Sequence, residues 1–342
     1  MPGSGGASAP SAHRRAPSIG PPSAAWGRRS LRSTTAFSRP SPAGTCFGTY
    51  AGRVPPTTLS VAIASSADFS DLDESWPLLQ SELTAQGCGV LVRQWDDHRV
   101  DWSAFDLVLA NYAWDYVAAR AGFVAWARRV GAVTKLKNGP RAIAWNSEKT
   151  YLADLAAAGV AVVPTQFVRP GESWQQPAAD FVVKPAVGNG GLDAARYVNT
   201  DAAAAERHVH RLHERGDVVV VQPYQGPVDA AGETALIYFG GTYSHAVCKQ
   251  PLLRPSAGVT DRLFEQHQIS PTLPRTDQLA TAARALQAAE ALVGPLAYAR
   301  VDLVDSAEAV PLVLELECIE PALYLPHPAS ARSFVAAVLA DC

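Results

Sequence analysis

Two periods of hydrophobic spacing run along this chain, and the change from one to the other marks its elements. The first ordered stretch, Leu59-Ser60-Val61-Ala62-Ile63-Ala64, is apolar almost throughout and predicts a buried strand. Leu78, Leu79 and Leu83 then recur at helical spacing between Trp76 and Ala85, and Gly87 stops the pattern. Val90-Leu91-Val92 and Asp106-Leu107-Val108-Leu109-Ala110 predict two more strands, and Phe123 to Val130 a second helix. Strand alternating with helix implies a parallel sheet covered on both faces, with ligands at the carboxyl ends of its strands. The third strand runs into Asn111-Tyr112-Ala113-Trp114-Asp115-Tyr116, an aromatic and acidic cluster that either holds a substrate or caps the sheet.

Past Lys137-Asn138-Gly139-Pro140 the pattern changes. Asn146 is a suitable N-cap for a helix from Ser147 to Ala158, which puts Lys149 in a first turn where the macrodipole opposes a cation. Phe181-Val182-Val183-Lys184-Pro185 predicts a short strand ending in lysine, and Ala186-Val187-Gly188-Asn189-Gly190-Gly191 follows directly. Glycines there permit positive φ and can turn several N–H groups toward one anion, so a phosphate lid and a plain hairpin turn are both open. The stretch matches neither G-x-x-x-x-G-K-[ST] nor G-x-G-x-x-G. His208, His210 and His213 share a helix, but Arg207, Arg211 and Arg215 surround them and disfavour a metal. Val218 to Tyr224 predicts a buried strand whose proline ends its ladder. Thr234 to Phe239 and Tyr243 to Cys248 flank Gly240-Gly241-Thr242 as a hairpin, with Lys249 at its end. Pro255 to Pro274 reads as a surface loop and Asp277 to Val293 as an alanine-rich helix.

The last alternating runs carry the densest chemistry. In Leu296 to Leu303, Tyr298, Arg300 and Asp302 fall on one face of a strand; in Pro311 to Glu317, Glu315 and Glu317 do the same. Only a hairpin-length connection separates them. In suitable register, three carboxylates and a guanidinium meet on one patch, which is either a metal-phosphate floor or a solvated edge.

Bulk composition narrows the setting. With 342 residues, 48% of them hydrophobic, the chain can bury a large core across two or three subdomains. A net charge of -3 favours neither nucleic acid nor an anionic membrane as partner. Five scattered cysteines without C-x-x-C argue against a disulfide framework or zinc site and fit a reducing cytoplasm. No apolar run approaches the roughly 18 residues of a transmembrane helix. Residues 1–57 are rich in Pro, Ser, Gly, Ala and Arg, contain no acid, and are expected to be a disordered tail or an extension from a misplaced start. Arg28-Arg29 resembles a twin-arginine signal, but no apolar stretch follows it.

One ordered series gathers these pieces: Lys149, Lys184 with its glycine loop, Val221-Gln222-Pro223-Tyr224, Lys249, Arg300-Val301-Asp302 and Glu315-Leu316-Glu317. From about Leu59 to Leu325 it resembles the ATP-grasp carboxylate-amine ligases of the glutathione synthetase and D-alanine ligase type. Trp114-Asp115-Tyr116, Trp145 to Leu152 and Val163-Pro164-Thr165 resemble an actinobacterial branch that includes D-cycloserine-forming ligases.

The resemblance implies an α/β and α+β architecture, the ATP-grasp fold: a Rossmann-like subdomain (58–138) ahead of a small lobe (139–216) and a large lobe (217–342) that enclose ATP. It assigns Lys149, Lys184 and the loop Gly188, Asn189, Gly190, Gly191 to the phosphates. Val221, Gln222, Pro223 and Tyr224 are assigned to adenine, and Asp229 to the ribose by spacing. Asp302, Glu315 and Glu317 would hold two Mg²⁺, or Mn²⁺ in their place, while Arg300 and Lys249 act on the acyl phosphate and the transferred phosphoryl. Many relatives have Asn where this chain has Glu317 and Glu where it has Gln222. The implied activity is ATP-dependent amide bond formation on a small amino-acid-like acid, intramolecular ring closure being the nearest variant. The alternative is an ATP-binding regulatory protein without turnover. A nicotinamide-dependent dehydrogenase is disfavoured because Ser65-Ser66-Ala67-Asp68 lacks the glycine fingerprint. The expected partner is a small molecule, with a homodimer left open.

Overall fold

The computed structural model describes residues 58–67, 72–260 and 268–341. The tail expected over 1–57 lies outside them, as do Cys46 and Cys342. Three sheets carry the fold, and the first is parallel. β1 (Ser60–Ser65), α1 (Trp76–Ala85), β2 (Gly89–Gln94), β3 (Leu107–Tyr112), α2 (Arg120–Val133) and β4 (Lys135–Leu136) follow in order. Their strands pair as β2-β1-β3-β4, the Rossmann-like arrangement. β3 is buried along its whole length, as an apolar strand between covered faces must be. The sheet ends in Trp114 and Tyr116 at the carboxyl end of β3, both buried.

The chain continues through α3 (Pro140–Asn146) and α4 (Tyr151–Ala157) into β5 (Gln166–Val168), β6 (Phe181–Pro185), β7 (Ala195–Tyr197), α5 (Ala202–Glu214) and β8 (Val219–Pro223). These four strands form an antiparallel sheet, β5-β8-β6-β7, packed on α5 through Val209, Leu212, Val219 and Val221. The boundary expected at 216/217 therefore falls one strand early, because β8 completes this sheet. α3 and α4 depart from it too: Ala142, Tyr151, Leu152 and Leu155 belong to the core of the last sheet.

That last sheet follows α6 (Val228–Ala231) and contains β9 (Glu233–Phe239), β10 (Thr242–Lys249), β11 (Ile269–Thr272), β12 (Tyr298–Asp305) and β13 (Pro311–Glu317). Its order is β11-β10-β9-β12-β13. α7 (Thr276–Val293) covers one face, and α8 (Pro328–Leu339) joins this sheet to the first through Phe334, Val335 and Val338. Gly240 and Gly241, both at positive φ, make the β9-β10 turn expected from sequence. β11 corrects the surface loop expected over 255–274; it pairs antiparallel with β10.

One local expectation fails for a clear reason. The helix expected from Ser147 begins only at Tyr151, and Asn146 closes α3 instead of capping it. Its Nδ2 donates to the Leu316 carbonyl at 2.7 Å and its Oδ1 accepts from the Cys318 N–H at 2.9 Å. The side chain that would cap a helix instead pins the end of β13, and Lys149 sits between two helices with its N–H bonded to the Ala186 carbonyl. Among the described residues no helix is long and apolar enough to cross a membrane, and Cys248 and Cys318 are free thiols.

Candidate active site

β12 and β13 pair so that Arg300 lies opposite Glu317 and Asp302 opposite Glu315. The register doubtful from sequence thus brings all four side chains together. A bulge between Asp302 and Leu303 follows directly. Asp302, almost fully buried, accepts from Arg300 Nε at 2.8 Å and from Lys249 Nζ at 2.7 Å. Glu317 accepts from the other arm of Arg300. Lys249, at the end of β10, also meets Glu233 at 2.8 Å. From the α3-α4 junction, Lys149 reaches Glu315 at 3.0 Å and donates to the Gly188 carbonyl.

All of these groups except the buried Asp302 line one cleft of about 240 Å³, together with Lys184, Gly188, Asn189, Gly190 and Gly191. The glycine loop connects β6 to β7 as a hairpin, one of the two sequence readings, and lines the cleft. Asn189 Nδ2 donates to the Trp114 carbonyl at 2.7 Å, which ties the loop to the first sheet. Gln222, Pro223 and Tyr224 line the cleft on the β8 side. Gln222 Nε2 is committed to Thr165 Oγ1 at 2.9 Å, leaving its carbonyl oxygen as an acceptor, the role a glutamate would fill.

Two expected residues, Val221 and Asp229, are not part of the cleft lining. The Val221 side chain packs against α5 in the core, because neighbours on a strand face opposite ways and Gln222 takes the cleft. Asp229, on α6, is held by Arg196 at 3.0 Å and by the Tyr224 hydroxyl, and it borders a neighbouring cavity with Arg196. The three histidines of α5 do not converge: His208 bonds Tyr197, His210 faces Glu214, and His213 meets the Val168 carbonyl.

Electrostatics separate the acids. Burial would raise Asp302, but Arg300 and Lys249 outweigh it and hold the carboxyl well below its usual range. Burial likewise opposes Lys149 and Lys184 at Glu315, and the two lysines win. At Glu317 burial prevails over Arg300, with Glu315 and Asp302 adding repulsion, and the carboxyl is pushed up to about 7. Burial also brings Lys184 down to about 8, against the pull of Glu315.

An acid cluster whose last member holds a proton near neutrality is short of positive charge. Asp302, Glu315 and Glu317 each offer an oxygen, all within 4.8 Å of one another. Such hard oxygen donors fit Mg²⁺, which is bound by a few carboxylates and substrate phosphate.

Comparison with known proteins identifies the family. A family model for the N-terminal domain of D-cycloserine synthetase DcsG matches residues 61–138. The cycloserine biosynthesis protein DcsG of Streptomyces lavendulae is 37% identical over 294 residues, spanning 82% of this chain and 98% of the relative. The chain belongs to the DcsG family of ATP-grasp ligases. The crystal structure of D-cycloserine synthetase DcsG superposes with a TM-score of 0.75 at 38% identity, covering 82% of this chain and 98% of that one. D-alanine--D-alanine ligase from Bacillus anthracis, complexed with ATP, shares the fold alone: TM-score 0.58 at 13% identity, covering 83% and 97%.

Membership makes the protein an ATP-dependent, C–N bond-forming ligase, as the lysine, arginine and carboxylate series implied. Sequence reasoning missed Glu233, the second partner of Lys249, and Glu320, a buried acid that lines the cleft beside Glu317. A signal for Glu320 existed. It is a lone charge inside the apolar run Cys318 to Leu323, and an acid buried with such a run needs a partner or a purpose.

Proposed function

We propose that this ligase uses ATP to activate the carboxylate of a small amino-acid-like molecule and closes it onto a nitrogen of the same molecule, giving a ring. The convergence of Lys149, Lys184, Lys249, Arg300, Glu315 and Glu317 on one cleft, with the buried Asp302 paired to Arg300 and Lys249, carries this reading. Likeness to D-cycloserine synthetase along 98% of that relative favours the intramolecular variant.

A carboxylate is a poor electrophile. Attack of its oxygen on the γ-phosphorus of ATP releases ADP and leaves an acyl phosphate; attack of nitrogen on that carbonyl then expels phosphate. Lys149 and Lys184 hold the phosphates and the Gly188 to Gly191 loop covers them. Lys249 faces the transferred phosphoryl. Arg300 donates to the oxygen on which charge gathers as the carbonyl turns tetrahedral. Asp302, Glu315 and Glu317 would hold two Mg²⁺, which supply charge neutralisation among the phosphate oxygens. Acyl phosphates hydrolyse readily, so the glycine roof serves the chemistry by excluding water. Gln222 to Tyr224 receive the adenine, and the partner is a small molecule alone.

The test is acid-dependent ADP release. The protein is incubated with ATP, Mg²⁺ and pools of D- and L-amino acids bearing a second amine or aminooxy group, and products are weighed by mass spectrometry. Ring closure gives a product lighter than the acid by one water. A product that joins two molecules overturns the intramolecular reading, and ADP release independent of any acid overturns both.

A further inference from the structure

Every other acid at the cleft is matched by a cation: Asp302 by Arg300 and Lys249, Glu233 by Lys249, Glu315 by Lys149, Glu317 by Arg300. Glu320 is 7% exposed and has no ion pair among the described residues. Lys149 is the cation acting on it, and Lys149 is already committed to Glu315 and the Gly188 carbonyl. A buried carboxylate without a partner is costly, and burial pushes Glu320 up to about 8; a cation bound beside it restores the charged form.

The surroundings of Glu320 are rigid. Tyr116 shares a hydrogen bond with its carboxyl, and the Tyr116 ring stacks on Phe123 with centroids 4.9 Å apart. Trp114 Nε1 donates to the Glu320 carbonyl at 3.0 Å. The acid borders both the main cleft and a side cavity of about 20 Å³, shared with Tyr116, Asn146, Ser147 and Lys149. That volume admits one group the size of water or ammonium and excludes a carboxylate or phosphate. Glu315 and Glu317 border it as well and repel any anion. Glu320 also stands apart from the three acids whose oxygens cluster closely enough for an ion.

We propose that Glu320, braced by Tyr116, is the receptor for the amino group of the substrate, and that it selects amino-bearing acids over plain ones. The inference rests on the reading that the acid is amino-acid-like. Tyr116 acts as a positioning residue that fixes the carboxylate by its O–H.

The probe is D-cycloserine, which carries a free amino group, titrated calorimetrically against the full-length protein with Mg²⁺ and ADP. Isoxazolidin-3-one, the same ring without that amino group, is the control. The wild type is expected to bind D-cycloserine about ten- to hundredfold more tightly, the worth of one charge-assisted hydrogen bond. Glu320→Gln should shrink the ratio to within about threefold, with Mg-ADP binding as the check on folding.

A Glu320→Gln protein that keeps the wild-type ratio overturns the inference, and so does one that loses Mg²⁺ dependence instead. A wild type that does not distinguish the two rings overturns it as well. The ADP-release assay then shows whether the parent reading falls too, since acid-dependent release survives if only the amino-group receptor is wrong. Should Glu320→Gln fail to bind Mg-ADP, Tyr116→Phe decides: a lowered ratio supports the assignment and an intact one overturns it.

Discussion

The floor and the roof of the cleft are built on opposite principles. The β12-β13 floor is rigid and saturated with charge: Asp302 takes Arg300 and Lys249, Glu317 shares Arg300, and Glu315 takes Lys149. The glycine roof places no charged side chain at 188–191; Asn189 donates to the Trp114 carbonyl, Lys149 donates to the Gly188 carbonyl, and Gly191 packs on Leu252. Gly190 and Gly191 take positive φ there. A floor of this kind is assembled before ATP arrives, so its electrostatics need little reorganisation. A roof held by so little can open for each turnover.

The sharpest way to break this contrast is Asp302→Asn. The substitution keeps the shape and leaves Arg300 and Lys249 facing a neutral amide. Removing one member of a buried ion network costs about 3–5 kcal/mol, and the loss of preorganised charge should lower kcat/KM about a hundred- to thousandfold. Thermal unfolding and acid-dependent ADP release check the two losses separately. Full activity with a lowered Tm would mean that Asp302 is structural only.

Lys184 stands where floor and roof meet, at the end of β6, and its proton tests the boundary. Burial brings it down to about 8, below the ordinary 10.5. Free enzyme therefore loses this charge as pH rises through 8, whereas enzyme with a phosphate beside the lysine keeps it. Affinity for Mg-ADP should be full below pH 8 and fall by up to about tenfold per unit above it, with proton uptake on binding in that range. Calorimetry in buffers of different ionisation enthalpy measures both. A flat profile from pH 7 to about 9.5 would place Lys184 away from the phosphates.

The roof is probed by Gly191→Ala. At φ 76° an alanine is strained, and its Cβ would strike the Leu252 side chain. Strain of about 1 kcal/mol or more falls on the closed loop, so kcat/KM should drop about five- to tenfold while Tm changes by a degree or two at most. A loss as large as that of Asp302→Asn would show that the roof is as preassembled as the floor.

What could be read from sequence follows the same division. Strand alternation put Arg300 with Asp302 and Glu315 with Glu317, because spacing along a strand fixes which face a side chain takes. The register joining the two pairs was not readable, since it depends on the turn and on the bulge after Asp302. Asn146 shows the limit of local rules: its capping chemistry is real, but it is spent on the backbone of Leu316 and Cys318, some 170 residues away. Lys149 is placed by that long-range contact and by the Ala186 carbonyl, neither of which a helix pattern encodes.

Asp229 gives the smallest effect and the most direct check on inference by spacing. It was expected at the ribose because it follows the β8 segment at a familiar interval, yet α6 turns it toward Arg196, which Asp180 also grips at 2.9 Å and which lies over the Tyr224 ring at 3.5 Å. Its side chain is 48% exposed, and Asp180 keeps Arg196 paired when the second charge is removed. Asp229→Asn should therefore change Mg-ADP affinity less than about threefold and leave stability within about 1 kcal/mol, as for other exposed ion pairs. If affinity falls tenfold or more, nucleotide binding must draw α6 inward, and the β8 side of the cleft would then be as adaptable as its roof.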